Sequence, residues 1–144
     1  MKEIVTDILI LASPQKVWAI LTDFASYPQW NPFIKSITGT VRVGETIVVR
    51  IEPPGASGMT LKPIVQVFNP ETEFRWLGHL LFPGLFDGEH RFELADNADG
   101  STTFRHCEKF KGILIPFFGK LLDVNTRNGF HEMNHALKER AEQK

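Results

Sequence analysis

Residues 12–18 read ASPQKVW, and this stretch decides how the first third of the chain divides into elements. Ser13 is a preferred helix N-cap, and Pro14 suits the first helical position because the N–H that proline lacks has no partner there. The preceding residues 2–11 are mostly β-branched and apolar, which is typical of a strand. The chain therefore starts as a strand that leads directly into a helix, whose apolar side holds Val17, Trp18, Ile20 and Leu21.

The rest of the chain follows from this start. A second short helix begins near Asp23 and ends in the sequence YPQWNP of residues 27–32, where two prolines prevent regular continuation. Apolar runs separated by turn residues then predict six strands, at 34–42, 46–52, 59–68, 72–79, 86–96 and 101–111. A long helix is predicted over 117–142, where few helix breakers occur.

Length, charge and composition exclude several classes of protein. The 144 residues suffice for one domain, 1–144, and the net charge of −1 does not favour a nucleic-acid partner. No apolar stretch approaches the roughly 20 residues of a transmembrane segment, and Asp7 interrupts the apolar run where a signal peptide would need one. We expect a cytoplasmic protein, with the oligomeric state open between a monomer and a weak dimer. No P-loop, dinucleotide-binding glycine motif or nucleophile elbow is present, so we expect no cofactor.

Aromatic residues and loop composition point to a cavity. The chain has 12 Phe and 3 Trp against one Tyr, more large rings than a core of this size easily buries. In a meander of hairpin-linked strands, the loops alternate between the two ends of the sheet. One end receives tight polar turns, and the other receives the longer, apolar, Pro- and Gly-rich segments 53–58, 80–86 and 112–117. These segments either surround the mouth of a cavity or only cap a core.

The period of two along strands sorts side chains by face. In 86–94 and 104–110 the even positions are mostly apolar, with four Phe among them, and face inward, but three of them are polar: His90, His106 and Glu108. With Asp99-Gly100 at the hairpin tip, paired residue numbers sum to about 198, which places His90 opposite Glu108. These polar groups either satisfy one another or orient a ligand. Cys107 lies on the outward set, where we expect an inert thiol.

Three features of the sequence resemble the SRPBCC superfamily, also described as START-like or helix-grip proteins. They are residues 12–18, residues 27–32 and the sequence GLFDGEH of residues 84–90, followed by the long terminal helix. The resemblance covers the whole chain and is specific to no reaction. It implies an α+β fold: a curved antiparallel sheet of about seven strands wrapped around the C-terminal helix, with two short helices between strands one and two. It also implies an apolar cavity between sheet and helix.

The predicted function is the binding or transport of a small hydrophobic molecule, lipid-, sterol- or polyketide-like, in that cavity. Two alternatives remain: a cyclase or dehydratase that uses a His or Glu of the same cavity to move protons, and a protein-interaction module that docks through the apolar loops. No catalytic set is recognisable. The candidate ligand-binding residues are Trp30, Phe33, Trp76, Phe82, Phe86, His90, His106, Glu108, Phe118, Leu121, Leu122, Asn125 and Phe130.

Residues 131–135 read HEMNH, which matches the zinc-protease motif H-E-x-x-H. On the long helix, the apolar residues Phe130, Met133 and Leu137 share one side, which must be the buried one. His131 and His135 fall about 100° and 140° away from Phe130, on the opposite side. The motif is therefore predicted to face solvent, and we expect no metal site.

Overall fold

The first helix begins where the Ser13-Pro14 pair predicts it. The computed structural model describes residues 1–79 and 82–143, without the side chains of 118–122. Ser13 Oγ accepts a hydrogen bond from the backbone N–H of Lys16 at 3.2 Å, and Pro14 is the first residue of the helix. This cap stabilises a helix of only two turns directly after the first strand.

The described residues form three α-helices and eight strands. The helices are α1 (Pro14–Leu21), α2 (Tyr27–Trp30), preceded by a 3-10 turn at Phe24–Ser26, and α3 (Ile115–Glu142). The strands are β1 (Lys2–Ile10), β2 (Ile34–Thr38), β3 (Val48–Ile51), β4 (Met59–Leu61), β5 (Ile64–Asn69), β6 (Glu73–His79), β7 (Asp87–Asp96) and β8 (Thr102–Lys111). The α+β helix-grip fold predicted from the sequence is therefore confirmed.

The strands form two antiparallel sheets. A five-stranded sheet has the order β1-β8-β7-β6-β5, and a three-stranded sheet has the order β2-β3-β4. The sheets meet where residues 44–47 run beside residues 63–65, joined by a bridge between Thr46 and Ile64 and by the hydrogen bond from Ile47 N–H to the Pro63 carbonyl. The concave side of this assembly faces α3.

Several predicted strand limits were wrong. The predicted strand 59–68 is two strands, β4 and β5, because Pro63 has no N–H to donate and the chain changes sheets there. The predicted strand 34–42 ends at Thr38, before Gly39 adopts a φ of 106°. The predicted strand 46–52 is the shorter β3, and α3 begins at Ile115 rather than at 117.

The predicted register of the 86–111 hairpin is confirmed. Strands β7 and β8 pair His90 with Glu108, Phe92 with His106 and Leu94 with Phe104. Each pair sums to 198, so that all inward residues of one strand lie beside inward residues of the other. Helix α3 packs on the inner face of this hairpin, which is mostly apolar but carries His90, His106 and Glu108.

Cys107 faces the outer side of β8, as the parity predicts, yet it is completely buried. Its neighbour across the pair is Arg91, whose side chain lies beside the thiol. Burial raises the pKa of the Cys107 thiol, so the sulfur carries its proton at neutral pH. The outer face of the sheet is thus covered at this point by a long charged side chain.

The helix face predicted for α3 is confirmed. Phe130, Met133 and Leu137 are fully buried, whereas His131 and His135 are exposed. No helix in the described ranges has the length and hydropathy of a membrane-spanning segment. Within the same ranges, no three His, Cys, Asp or Glu side chains come close enough together to hold a metal ion.

Replacing His131 or His135 with alanine is expected to leave the free energy of unfolding within about 0.5 kcal/mol of the wild type, because both side chains are exposed. Chemical denaturation followed by circular dichroism measures this. Stoichiometric zinc that survives chelator treatment and is lost in either variant would contradict the assignment of this helix face.

Candidate ligand pocket

A pocket of about 420 Å³ lies between the concave face of the sheets and α3. Its walls come from the inner faces of β3, β4, β6, β7 and β8, from the loop that follows β3 and from the middle of α3. The residues that line it are Phe33, Ile51, Pro53, Ala56, Ser57, Met59, Leu61, Trp76, Gly78, His79, Phe86, Gly88, His90, Glu108, Phe110, Asn125, Thr126 and Phe130.

Two glycines leave room for the pocket in the floor of the sheet. Gly78 of β6 and Gly88 of β7 are directly paired, and both line the pocket. A Cβ atom at Gly78 would meet only the Pro63 side chain, at 3.6 Å, which is an ordinary contact. A Cβ atom at Gly88 would lie 3.2 Å from Glu108 Oε1. Side chains at these two positions would therefore fill the space that the glycines leave open.

A chain of buried polar side chains starts at the pocket wall. His90 Nε2 lies 2.7 Å from His106 Nε2, and His106 Nδ1 lies 3.0 Å from Asn134 Oδ1. Asn134 Nδ2 donates to Thr6 Oγ1 at 2.8 Å, and Thr6 Oγ1 donates to the backbone carbonyl of His106 at 3.1 Å. At the pocket end, His90 Nδ1 lies 3.2 Å from Glu108 Oε2. The last two atoms are in contact but not aligned for a hydrogen bond, so both lack a partner.

Both histidines are uncharged at neutral pH. Burial lowers the pKa of His90 to about 3, and burial together with His90 holds the pKa of His106 well below the usual range. Each ring therefore carries one N–H and one bare nitrogen. Aromatic neighbours fix the two rings: Trp76 stacks on His90 at 4.6 Å between ring centroids, and Phe130 stacks on His106 at 3.8 Å.

Glu108 is an acid in an apolar wall. Only 9% of the residue is exposed, and burial, assisted by the charge of Glu89, raises the pKa of its carboxyl to about 8. Removing a carboxylate from water disfavours its ionised form, and no Lys or Arg among the described lining residues compensates for that cost. Glu108 is therefore mostly protonated at pH 7.

Seven of the candidate ligand-binding residues line the pocket: Phe33, Trp76, Phe86, His90, Glu108, Asn125 and Phe130. Three do not. His106 lies behind His90, under Phe130, and Trp30 packs edge-on against Tyr27 at 5.3 Å between ring centroids. Phe82 is 56% exposed and outside the pocket. Phe118, Leu121 and Leu122 are among the side chains that the structure does not describe.

Residues outside the sequence prediction complete the pocket. They are Ile51, Pro53, Ala56, Ser57, Met59, Leu61, Gly78, His79, Gly88, Phe110 and Thr126. The sequence held a signal for the glycines, since Gly78 and Gly88 occupy inward positions of their strands. The imidazole of His79 is paired with the Asp87 carboxylate, with 2.7 Å between Nδ1 and Oδ1.

The fold of the chain is found in several solved structures. A START superfamily protein from Mycobacterium smegmatis has 21% sequence identity and a TM-score of 0.77, with 98% of this chain and 97% of that one covered. The Zhui aromatase/cyclase of a Streptomyces species has 13% identity and a TM-score of 0.76, with 98% and 93% covered. A protein from Thermus thermophilus has 16% identity and a TM-score of 0.73, with 97% of each chain covered. At these identities the likeness concerns the fold.

The sequence itself carries the assignment to a family. No curated protein is significantly similar to this chain. Residues 1–142, which include every helix and strand described above, match the family described as polyketide cyclase / dehydrase and lipid transport. The chain, with its sheet folded around α3 and its pocket between them, belongs to the polyketide cyclase / dehydrase and lipid transport family.

Proposed function

We propose that the protein binds a small, predominantly apolar molecule, lipid-, sterol- or polyketide-like, in the pocket under α3. The observation that carries the proposal is the combination of a largely aromatic and aliphatic lining with two adjacent buried polar side chains, Glu108 and His90. Ligand sites typically combine a largely apolar surface with a few polar groups that fix orientation. The volume of about 420 Å³ falls in the usual range of such sites, which runs from roughly 300 to 1,000 Å³.

The arrangement of the pocket supports binding in a second way. Two directly paired glycines hold open a space that two ordinary strand residues would fill. Empty apolar volume costs stability because its walls lose packing contacts. A fold that keeps such a space regains those contacts when an apolar molecule occupies it.

One observation favours a cyclase- or dehydratase-type reaction as the second candidate function. Glu108 has a pKa raised to about 8 and reaches the pocket, so it holds a proton at neutral pH in contact with a bound molecule. A general acid needs a pKa of this kind. Turnover of a bound polyketide-like substrate, lost in Glu108→Gln, would establish this function.

Native mass spectrometry of freshly purified protein tests the binding proposal. The wild type is expected to retain a small molecule, either from purification or after incubation with an organic extract of the expression host. The matched control is Gly78→Leu, whose side chain would enter the pocket from a position where the Cβ meets only an ordinary contact. An adduct common to both proteins, or none in either after incubation, would contradict the proposal.

A further inference from the structure

The hydrogen bonds between the buried polar side chains follow one donor-to-acceptor order. That order is set at Thr6, at the opposite end of the series from the pocket. The Thr6 hydroxyl has one hydrogen, which it donates to the backbone carbonyl of His106. Its oxygen therefore accepts from the Asn134 amide nitrogen, which leaves the Asn134 amide oxygen facing His106 Nδ1 at 3.0 Å. His106 must carry its proton on Nδ1 to satisfy that oxygen.

The same donor-to-acceptor order fixes which nitrogen of His90 carries its proton at the pocket wall. With its proton on Nδ1, the neutral His106 has a bare Nε2, so His90 donates from its own Nε2 across the 2.7 Å contact. His90 Nδ1 is then a lone pair that faces Glu108 Oε2 at 3.2 Å. A carboxylate in that place would set lone pair against lone pair, and a proton on Oε2 relieves that repulsion although the two atoms are not aligned for a hydrogen bond. This series of hydrogen bonds thus favours a neutral Glu108 with its hydrogen on Oε2.

The opposite direction is poorer by one hydrogen bond. It requires the Asn134 amide to rotate, so that the amide donates to His106 and accepts from Thr6. The Thr6 hydroxyl then no longer donates to the His106 carbonyl. The series of hydrogen bonds would end at Glu108 as a buried carboxylate. No Lys or Arg of the described lining balances that charge, and the charge of Glu89 repels it.

The other described residues around Glu108 add no Lys or Arg. Strand β1 sets Ile4 beside it, and the residues of α3 in the pocket wall are Asn125, Thr126 and Phe130. His79, the third titratable group of the described lining after Glu108 and His90, is already paired with Asp87. The second carboxyl oxygen, Oε1, lies next to Gly88 at the pocket surface, and no hydrogen bond reaches it from the described residues.

We propose that this pocket selects apolar molecules whose polar group is a hydrogen-bond donor, above all a hydroxyl, and that Glu108 Oε1 accepts that hydrogen bond. The proposal rests on the binding function proposed above and specifies the ligand class. An alcohol satisfies the buried acceptor that a hydrocarbon of the same shape would leave without a partner. An apolar carboxylate is excluded, because the described lining offers it no Lys or Arg and places another carboxyl against it.

Three naphthalenes of nearly equal size test the selection. We would measure the affinities of 2-naphthalenemethanol, 2-ethylnaphthalene and 2-naphthoate for the full chain by fluorescence titration at pH 7. The first two differ only by a hydroxyl in place of a methyl group. The alcohol is expected to bind about tenfold more tightly than the hydrocarbon, which corresponds to one hydrogen bond, and the carboxylate to bind more weakly than both.

Two variants assign the selectivity to Glu108. Glu108→Gln retains an amide oxygen for the ligand and an N–H for His90, so it reproduces the protonated acid and should keep the preference for the alcohol. Glu108→Leu removes the acceptor and should bind the alcohol and the hydrocarbon equally. Circular dichroism and thermal unfolding show whether each variant folds. If Glu108→Leu does not fold, the wild type and Glu108→Gln still decide the proposal.

Proton linkage gives an independent measurement. Bound 2-ethylnaphthalene covers the Glu108 carboxyl and hinders the ionisation of that group. The affinity for 2-ethylnaphthalene should therefore fall as the pH rises through about 8, the pKa of Glu108 in the ligand-free protein. The alcohol donates to either form and should lose less affinity, so that the preference for it grows between pH 6.5 and 9.5. In Glu108→Gln both affinities should be independent of pH over this range.

Each outcome distinguishes the two proposals. If none of the three compounds binds, the binding function fails. If the alcohol and hydrocarbon bind the wild type equally, or if Glu108→Gln loses the preference as Glu108→Leu does, binding stands and the assignment of a donor-bearing ligand to Glu108 is overturned. Tighter binding of 2-naphthoate than of the alcohol would overturn it as well.

Discussion

Replacing His106 with leucine is expected to lower the free energy of unfolding by about 3 kcal/mol or more. His106 is completely buried and connects two other buried groups, the ring of His90 and the amide of Asn134. Leucine fills most of the space but leaves the His90 N–H and the Asn134 oxygen without partners, and each such group costs about 1–3 kcal/mol. The stacking of the ring on Phe130 is lost at the same time. Urea denaturation measures the loss.

A double-mutant cycle separates the polar chain from ordinary packing. Asn134→Leu should also destabilise, since it leaves His106 Nδ1 without its partner at 3.0 Å. In the double variant that donor and that acceptor are both gone, so the combined loss should be smaller than the sum of the two single losses. Strict additivity would show that the two side chains do not interact. His131→Leu, at an exposed position of α3, the helix that carries Asn134, is the control for replacing a histidine with leucine.

The second large effect is expected at Gly129 of α3. A Cβ atom at this position would overlap the ring of Phe33, which is 2% exposed and packs edge-on against Phe130 at 5.6 Å between ring centroids. Gly129→Ala therefore forces the helix or the ring to move, and such overpacking typically costs about 1–3 kcal/mol. Because Phe33 lines the pocket, the affinity for an apolar ligand should fall as well.

Whether Gly129→Ala lowers or raises the stability tests the packing of Phe33 against α3. In the middle of a helix, alanine is better than glycine by about 1 kcal/mol when nothing else changes. Thermal unfolding of Gly129→Ala should therefore show a loss of stability only if Phe33 occupies the surface of α3 described above. Asn128→Ala, at the exposed neighbouring position, is the matched control. A gain in stability at Gly129 would contradict the packing of Phe33 against the helix.

Local chemistry determined the parts of the fold that were predicted correctly. The Ser13-Pro14 pair predicts the start of α1 because capping depends on a few adjacent residues. The turn at Asp99-Gly100 and the parity of the flanking strands predict the pairing of His90 with Glu108, since any odd shift would bring inward residues beside outward ones. The break at Pro63 also had a local signal, a proline inside a predicted strand.

The sequence pattern could not predict which inward residues reach the pocket and which are covered by other elements. Parity assigns His90 and His106 to the same face, but only the position of α3 decides that His90 reaches the pocket and that His106 is covered by Phe130. Trp30 shows the same limit, since its contact with Tyr27 depends on how the short helices pack. Pro53, Ala56 and Ser57, in the loop after β3, line the same pocket as residues of the larger sheet, and the period of two along strands does not encode where that loop lies.

Titration with N-phenyl-1-naphthylamine, an uncharged fluorophore with one N–H donor, tests the central claim most directly. The wild type is expected to bind it with a saturable rise in fluorescence and a stoichiometry of one. Gly78→Leu, which fills the space beside Gly88, and Phe86→Asp, which places a charge in the apolar wall, should both abolish the rise while thermal unfolding shows that they remain folded. No saturable signal from the folded wild type, or an equal signal from all three proteins, would contradict the account of this pocket as a ligand site.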